Sequence, residues 1–471
     1  MLFNSYIFIF IFLPFTLVGF YSLTNRRLQL SFLLAASIGF YCYWSTKLVF
    51  FLILTVVLDF YVAKAISTTF DQKKKKLLLL LSVCTNLAIL GFFKYYNLFA
   101  DSFNNAAEIT GHNPHFLPVL NVILPIGISF YTFQSMSYVI DVYRKTSDAH
   151  SNLLSFASYV TLFPHQISGP LVRHNKIIPQ LESPQTYVFH TDNFWRGCYF
   201  FVLGLSKKIL IADLLALIVA PLVSNMSAAS NLESILAILG YTMQLYFDFS
   251  GYSDMAVGLG LMLNIQFPQN FNSPYKARSI TEFWKKWHIS LSTWLRDYLY
   301  ISLGGNRTTK FKTYRNLLLT MTIGGLWHGG SWTFVVWGFL HGLALSFERF
   351  LRNRKIDLLK YSSLKWLATF SLVSLGWIIF RSPDFLTCGL WMKKVFLLNS
   401  NLTWDLVSLP ERYKDRFFIA LGVALVAAFF FRNTWQMKLK PTLTNALTLG
   451  FLFALCLMYM GDESPFLYFQ F

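Results

Sequence analysis

The chain has 471 residues, of which 55% are hydrophobic, 18% aromatic and only 13% charged, with a formal net charge of +18. So few charges over that length exclude a soluble globular protein and describe a polytopic membrane protein. The basic residues sit between hydrophobic stretches, with no basic, aromatic surface module to hold a strand, so nucleic acid is excluded as a partner and the excess is read as topology.

Residues 1–21 are apolar, lack a basic leading region and are followed by Asn25, Arg26 and Arg27. That is the pattern of a first span entering from outside, not of a cleaved signal. Keeping cationic segments inside, Arg26 and Arg27 are cytoplasmic, the turn near Trp44 and Ser45 outside, Lys73 to Lys76 inside, residues 101–115 outside, and Arg144 and Lys145 inside. Residues 153–169, with Pro164, Gly169 and Pro170, begin and end beside basic or polar segments and read as a re-entrant or interfacial piece. A span at 194–216 leads out to a polar loop at 224–231, and 234–262 returns, carrying Asp248 and Asp254. Carboxylates at that depth need partners: they line a passage, hydrogen-bond a cofactor arm, or hold helices together.

Residues 264–316 carry many Lys and Arg and are cytoplasmic by the same rule. Within them Trp284, Trp287, His288, Leu291, Leu295, Tyr298 and Leu299 recur at helical spacing, which predicts a cationic amphipathic helix at the inner interface. Because 349–360 is also cationic, residues 317–347 enter and leave on one face. Their roughly 31 residues fall short of the roughly 40 that two full passes need. A pair of half-spans meeting near Gly324, Gly325, Gly329 and Gly330 is expected, with His328 near the apex, although one full span with a compensating change downstream satisfies the same counts. Spans at 364–381, 416–432 and 442–460, with a surface element at 383–412, complete about 10–11 transmembrane helices with both termini outside. No repeat or linker divides the chain, so 1–471 is read as a single membrane domain. Cys42, Cys84, Cys198, Cys388 and Cys456 lie singly, which indicates neither a disulfide framework nor a metal knuckle.

His328 is the leading functional candidate. An ionisable group inside an apolar stretch costs insertion energy, roughly 2.5–3.5 kcal/mol for a charged residue and less for neutral His, so function is its default reading. An imidazole titrating near neutrality suits a general base that removes a hydroxyl proton. The competing reading is an interhelical hydrogen-bonding residue. His288, on the apolar side of the cationic helix, either faces the cytoplasmic mouth and assists the base or anchors the interface among tryptophans. His341, thirteen residues after His328, falls on a different helix face and reads as structural. No HExxH or HxxxH pair occurs, so a zinc hydrolase is disfavoured and no metal is expected. Arg296, Asp297 and Asn306 either ion-pair or contact donor phosphates, for which an Arg fork is suited; topology alone also explains the arginine.

Four blocks carry a resemblance: YFDFSGYSDMAVGLGLMLNIQFPQNFNSPY (246–275), FWKKWHISLSTWLRDYLYISLGGNR (283–307), GGLWHGGSWTFVVWGFLHG (324–342) and FLYFQF (466–471). Together they resemble the membrane-bound O-acyltransferase family, in its bacterial alginate O-acetylation and peptidoglycan O-acetyltransferase type, with residues 263–348 holding the signature. The resemblance implies an all-α helical bundle with a central tunnel, an acyl thioester donor such as acetyl-CoA, and transfer towards an extracytoplasmic polysaccharide across a bacterial inner membrane. It makes His328 the general base with His288 as its companion, and Asp248, Arg296 and Asn306 candidates for holding the donor. It also suggests Tyr468 as a C-terminal acyl relay, against the alternative of an aromatic belt anchor. No soluble GDS-type esterase segment is evident, so a separate periplasmic SGNH/GDS-type transferase is the expected partner. The alternatives are D-alanyl transfer from a carrier protein and a non-enzymatic lipid or polysaccharide transporter. Paired repeats with broken helices, the usual mark of the latter, are not seen.

Overall fold

A computed structural model describes all residues except 112–115, 121, 399–402, 407–410, 462–466 and 468–471. Every regular element among the described residues is helical, as a hydrocarbon setting demands, because a helix pairs its own backbone donors and acceptors. Among the described residues four helices are long and apolar enough to cross a membrane: Val49–Thr68, Gln72–Ile109, Trp332–Asn353 and Ser362–Arg381. Phe8–Ser22 and Leu443–Tyr459 are apolar but shorter. The remaining expected spans are helical too. The helix Asn231–Met262 runs for 32 residues but carries Asp248 and Asp254, and Thr191–Ser206 continues through a π-helical stretch, Lys207–Asp213, into Leu214–Ser224.

The chain forms two compact units. The first comprises Met1–Phe201 with Met255–Pro268. Within it Asp59 accepts hydrogen bonds from Ser82 (2.6 Å) and Asn86 (2.8 Å), joining two of the spans through a fully buried carboxylate. Residues 153–169, expected to be re-entrant or interfacial, contain two short helices, Leu153–Thr161 and Phe163–Gln166, most of whose residues are buried. A Cβ on Gly127 (φ +71°) would come within 2.3 Å of the Gln166 carbonyl oxygen, so glycine is required for this approach.

The second unit comprises Val202–Asp254 with Gln269–Phe471. Its centrepiece is a helical hairpin, Lys310–His328 followed by Trp332–Asn353. The turn falls at 329–331, so His328 does sit at the apex. The arms, of 19 and 22 residues, are longer than the half-spans expected from sequence. The reason is that helix continues into both cationic blocks: Thr309 caps the first arm by accepting from the Lys312 N–H, and the second runs past Arg349 and Arg352.

Of the glycines expected at the apex, Gly329 and Gly330 lie in the turn, while Gly325, within the first arm, lets the arms touch. A Cβ on Gly325 would lie 2.2 Å from the Phe334 carbonyl oxygen and 2.9 Å from the Gly338 Cα, and one on Gly342 would lie 3.0 Å from the Leu318 Cα. Such small-residue contacts supply van der Waals packing where lipid removes the hydrophobic drive between helices. Gly325→Val is therefore expected to destabilise the fold by about 1–3 kcal/mol through overpacking. An unfolding titration in micelles checks this, and an unchanged midpoint would refute the close packing.

The single amphipathic helix expected around His288 is also corrected. Ile280–Lys286 ends, His288 takes a left-handed backbone (φ +42°), and Ile289–Trp294 runs on into a π-helical stretch, Leu295–Tyr300. Helical periodicity is blind to one left-handed residue, because the spacing on either side remains helical.

Candidate active site

His328 is the last residue of the hairpin's first arm and is 5% exposed. Its ring stands edge-on to Trp327 (5.1 Å between centroids), Trp337 (5.3 Å) and Phe380 (5.2 Å). An imidazole among three aromatic rings is shielded from bulk water. It also lines a cavity of about 530 Å³, within the range of small-molecule sites. Gly324 lines the same cavity, as do Trp337 and Met321.

Cationic side chains line part of the same wall, among apolar residues such as Leu291, Ile301 and Leu345. Lys285, Arg296, Arg349 and Arg352 line it together with Asn306. Arg349 lies twelve residues beyond Trp337 on the same helix, about 18 Å at 1.5 Å per residue. The cavity therefore runs along the hairpin from the buried imidazole to a cluster of charges. Asn306 is presented by a turn with Gly304 at φ +98° and Gly305 at φ +55°. The Asn316 amide holds that turn by donating to the Leu303 and Gly305 carbonyls. Arg296 pairs with Asp297 (2.7 Å) and also lines the cavity.

His288 is 1% exposed and is fixed by Asn270. The Asn270 Oδ1 accepts from the Ser290 N–H (3.3 Å) and the Ser290 hydroxyl (2.8 Å), while its amide donates to Ser253 Oγ (3.1 Å). A backbone N–H only donates, so that atom is the oxygen, and His288 Nδ1 at 3.2 Å must be the protonated nitrogen. Its Nε2 then carries the lone pair. The left-handed break is held by the same segment, through Ile289 N–H to Asn270 O and Asn272 N–H to Lys286 O, both 2.9 Å. The Trp327 ring neighbours both imidazoles, 6.2 Å from His288 and 5.1 Å from His328.

Burial pushes the His288 imidazole down to about 3. An unfolded histidine takes up a proton near pH 6.5, which the folded ring refuses, so the unfolded state binds more protons between those values. Stability is thus expected to fall as pH drops from about 6.5 towards 3. Nitrogen-15 NMR of labelled His288 should show the neutral Nδ1–H form from pH 8 to pH 5, and an imidazolium signal at pH 6 would overturn the assignment.

Of the residues singled out from sequence, the cavity brings together His328, Arg296 and Asn306. It does not include Asp248, which is buried in an ion pair with Lys208 (2.7 Å) and accepts from the Leu467 N–H (3.0 Å). Asp254 is similarly bound by Lys207 (2.5 Å) and Thr434 (2.6 Å). Both carboxylates join helices, the reading that sequence left open beside the donor role. Tyr468 lies outside the described residues. Sequence reading missed Asn270, although it lies in the QNFNSPY run, and it took Lys285, Arg349 and Arg352 for topology alone. His341 lies on the second arm with its ring 4.8 Å from Trp337. Among the described residues no group of three or more metal-ligating side chains comes together.

Residues 30–355 match the profile of the membrane-bound O-acyltransferase family. The chain is 44% identical over 450 residues to the protein named Probable alginate O-acetylase AlgI of Pseudomonas aeruginosa, covering 95% of this chain and 84% of that one. It is 34% identical to the Peptidoglycan O-acetyltransferase of Helicobacter pylori, over 100% of this chain and 98% of the other. Similarity to the Teichoic acid D-alanyltransferase of Bacillus subtilis is 28%, over 58% of this chain and 71% of the other.

Proposed function

The chain belongs to the membrane-bound O-acyltransferase family, and from that premise we propose that it takes an acetyl group from a cytoplasmic thioester, acetyl-CoA, and passes it across a bacterial inner membrane for O-acetylation of an extracytoplasmic polysaccharide. The observation that carries this reading is the one cavity that joins His328 to Lys285, Arg296, Arg349 and Arg352. The arginines present forked donors suited to the phosphates of a nucleotide thioester. An extended donor bound there would point its thioester along the hairpin towards the imidazole.

In the reaction His328 accepts the proton of the acceptor hydroxyl as its oxygen attacks the thioester carbonyl carbon. The tetrahedral adduct collapses, the carbon–sulfur bond breaks, and the proton held by His328 passes to the departing thiolate. Trp327, Trp337 and Phe380 around the imidazole keep water from competing for the thioester. His288, kept neutral by burial and oriented by Asn270, is assigned to positioning behind Trp327. Asn306 and Arg296 contribute to the donor mouth.

Acetyl is favoured over D-alanyl because the relatives at 44% and 34% identity bear acetylase names, whereas the D-alanyltransferase stands at 28% over a shorter stretch. The proposal keeps a periplasmic SGNH/GDS-type transferase as partner, Tyr468 as an acyl relay on the way to it, and both termini outside. Proteoliposomes supplied with labelled acetyl-CoA should transfer label to protein, partner or glycan, and mass spectrometry should find acetylated Tyr468 under turnover. Absence of transfer with every partner and acceptor combination would remove the reading. Removal of phosphate donors should act on binding: Arg349→Gln with Arg352→Gln is expected to raise KM for acetyl-CoA about 10–100-fold, the scale of charge-assisted hydrogen bonds, with little change in kcat. An unchanged KM would move the donor elsewhere.

A further inference from the structure

We infer that the groove between helices Trp332–Asn353 and Ser362–Arg381 holds an anionic phospholipid whose chain backs the wall of the His328 cavity. Two cavities lie along this face. One, of about 430 Å³, has Arg278, Arg352 and Lys365 on its lining with the apolar Phe347 and Leu358. The other, of about 470 Å³, is lined by Trp337, His341, Leu375, Gly376 and Ile379. Both are lined by Ala368 and Leu372, so they adjoin along one face of the two helices.

The groove has the dimensions and polarity of a lipid. From Lys365 to Ile379 is fourteen residues, about 21 Å of helix, somewhat more than half of the roughly 30 Å hydrocarbon core. Both flanking helices are long and apolar enough to span, so the medium at the opening is hydrocarbon. Lipid, not a water-soluble ligand, is what reaches it. One end is charged and the other apolar, and the charge is net positive. The acidic groups on the lining already serve protein donors: Asp357 pairs with Lys365 (2.7 Å), and Glu348 accepts from the Thr281 N–H (3.0 Å). With Lys365 engaged by Asp357, Arg278 and Arg352 supply the positive charge at the end that the positive-inside rule places at the cytoplasmic surface, where anionic headgroups lie.

The far end of the groove meets the active site. Gly376 has no side chain over its floor; a Cβ there would lie 3.1 Å from His341 Nε2 and 3.5 Å from Trp337 Nε1. Trp337 lines both this groove and the His328 cavity, and its ring stands edge-on to His328. A hydrocarbon chain in the groove therefore packs behind the indole that positions the base. The binding statement stands on the groove alone; only its effect on catalysis rests on the function proposed above.

The test is native mass spectrometry of the full chain released from nanodiscs containing equal phosphatidylglycerol and phosphatidylcholine. The wild type is expected to retain phosphatidylglycerol in preference. Arg278→Gln should lower that retention about fivefold, the scale of one cation at a membrane surface. Ala368 is exposed, so Ala368→Trp plugs the junction of the two cavities without entering the packed interior, and it should abolish retention. Equal retention of the two lipids, or retention unmoved by Ala368→Trp, overturns the site. In a second arm, acetyl transfer should be slower in phosphatidylcholine alone, and Ala368→Trp should remove the difference between lipids. Lipid-specific retention without any transfer would count against the proposed function while upholding the groove. Transfer that is independent of lipid would sever the link through Trp337.

Discussion

Replacing His328 with alanine is expected to lower acyl transfer about 10²- to 10⁴-fold, the usual contribution of a positioned general acid–base group, with the protein still inserted and folded. The expectation follows from its place at the hairpin apex, on the wall of a cavity that also reaches four cationic side chains. The loss should appear in kcat with the KM for the thioester nearly unchanged, because the cationic residues that would bind the donor lie elsewhere on the cavity. Single-turnover transfer in proteoliposomes separates the two. Full transfer by a folded His328→Ala variant would return the imidazole to the role of a packing residue among Trp327, Trp337 and Phe380.

The largest expected loss of stability lies away from the cavity. Lys208, 2% exposed, binds Asp213 and Asp248, each at 2.7 Å, and Asp248 also receives the Leu467 N–H. Lys208→Met strands buried carboxylate charge, and breaking such a pair by removing one partner costs about 3–5 kcal/mol. Adding Asp248→Leu should recover part of the loss, because removing both charges also removes the desolvation burden. Equilibrium unfolding in mixed micelles measures both variants. A loss below about 1 kcal/mol for Lys208→Met would show that these charges are solvated and that the network does little to hold the helix Asn231–Met262.

The class of the protein was legible because hydropathy and charge act over whole segments. Long apolar stretches can only be helices in lipid, and cationic loops report their side of the membrane without reference to packing. The 317–347 hairpin was readable for the same reason, because cationic blocks at both ends favour a return of the chain, although a full span met the same counts. The lengths of its arms were not, since charges continue a helix at an interface as readily as they end one. The packing role of Gly325 was not legible because a sequence shows a missing side chain but not what occupies the space, and here it is the backbone of the other arm.

His328 and Arg296 were identifiable by residue type, one as an ionisable group in an apolar run and the other as a fork suited to phosphate. Arg349 and Arg352 were not separable from topological charge until folding placed them on the same cavity as His328. Asn270 and His288 lie eighteen residues apart, and their hydrogen bond depends on the left-handed turn at His288, which no periodicity reveals. The sequence by itself determined an all-helical membrane protein with an imidazole inside an apolar, glycine-flanked stretch, because those properties are sums over local hydropathy and charge. The tertiary structure decided which carboxylates are consumed in ion pairs, which tautomer His288 adopts and which cations face the cavity, because each depends on distances between segments remote in sequence.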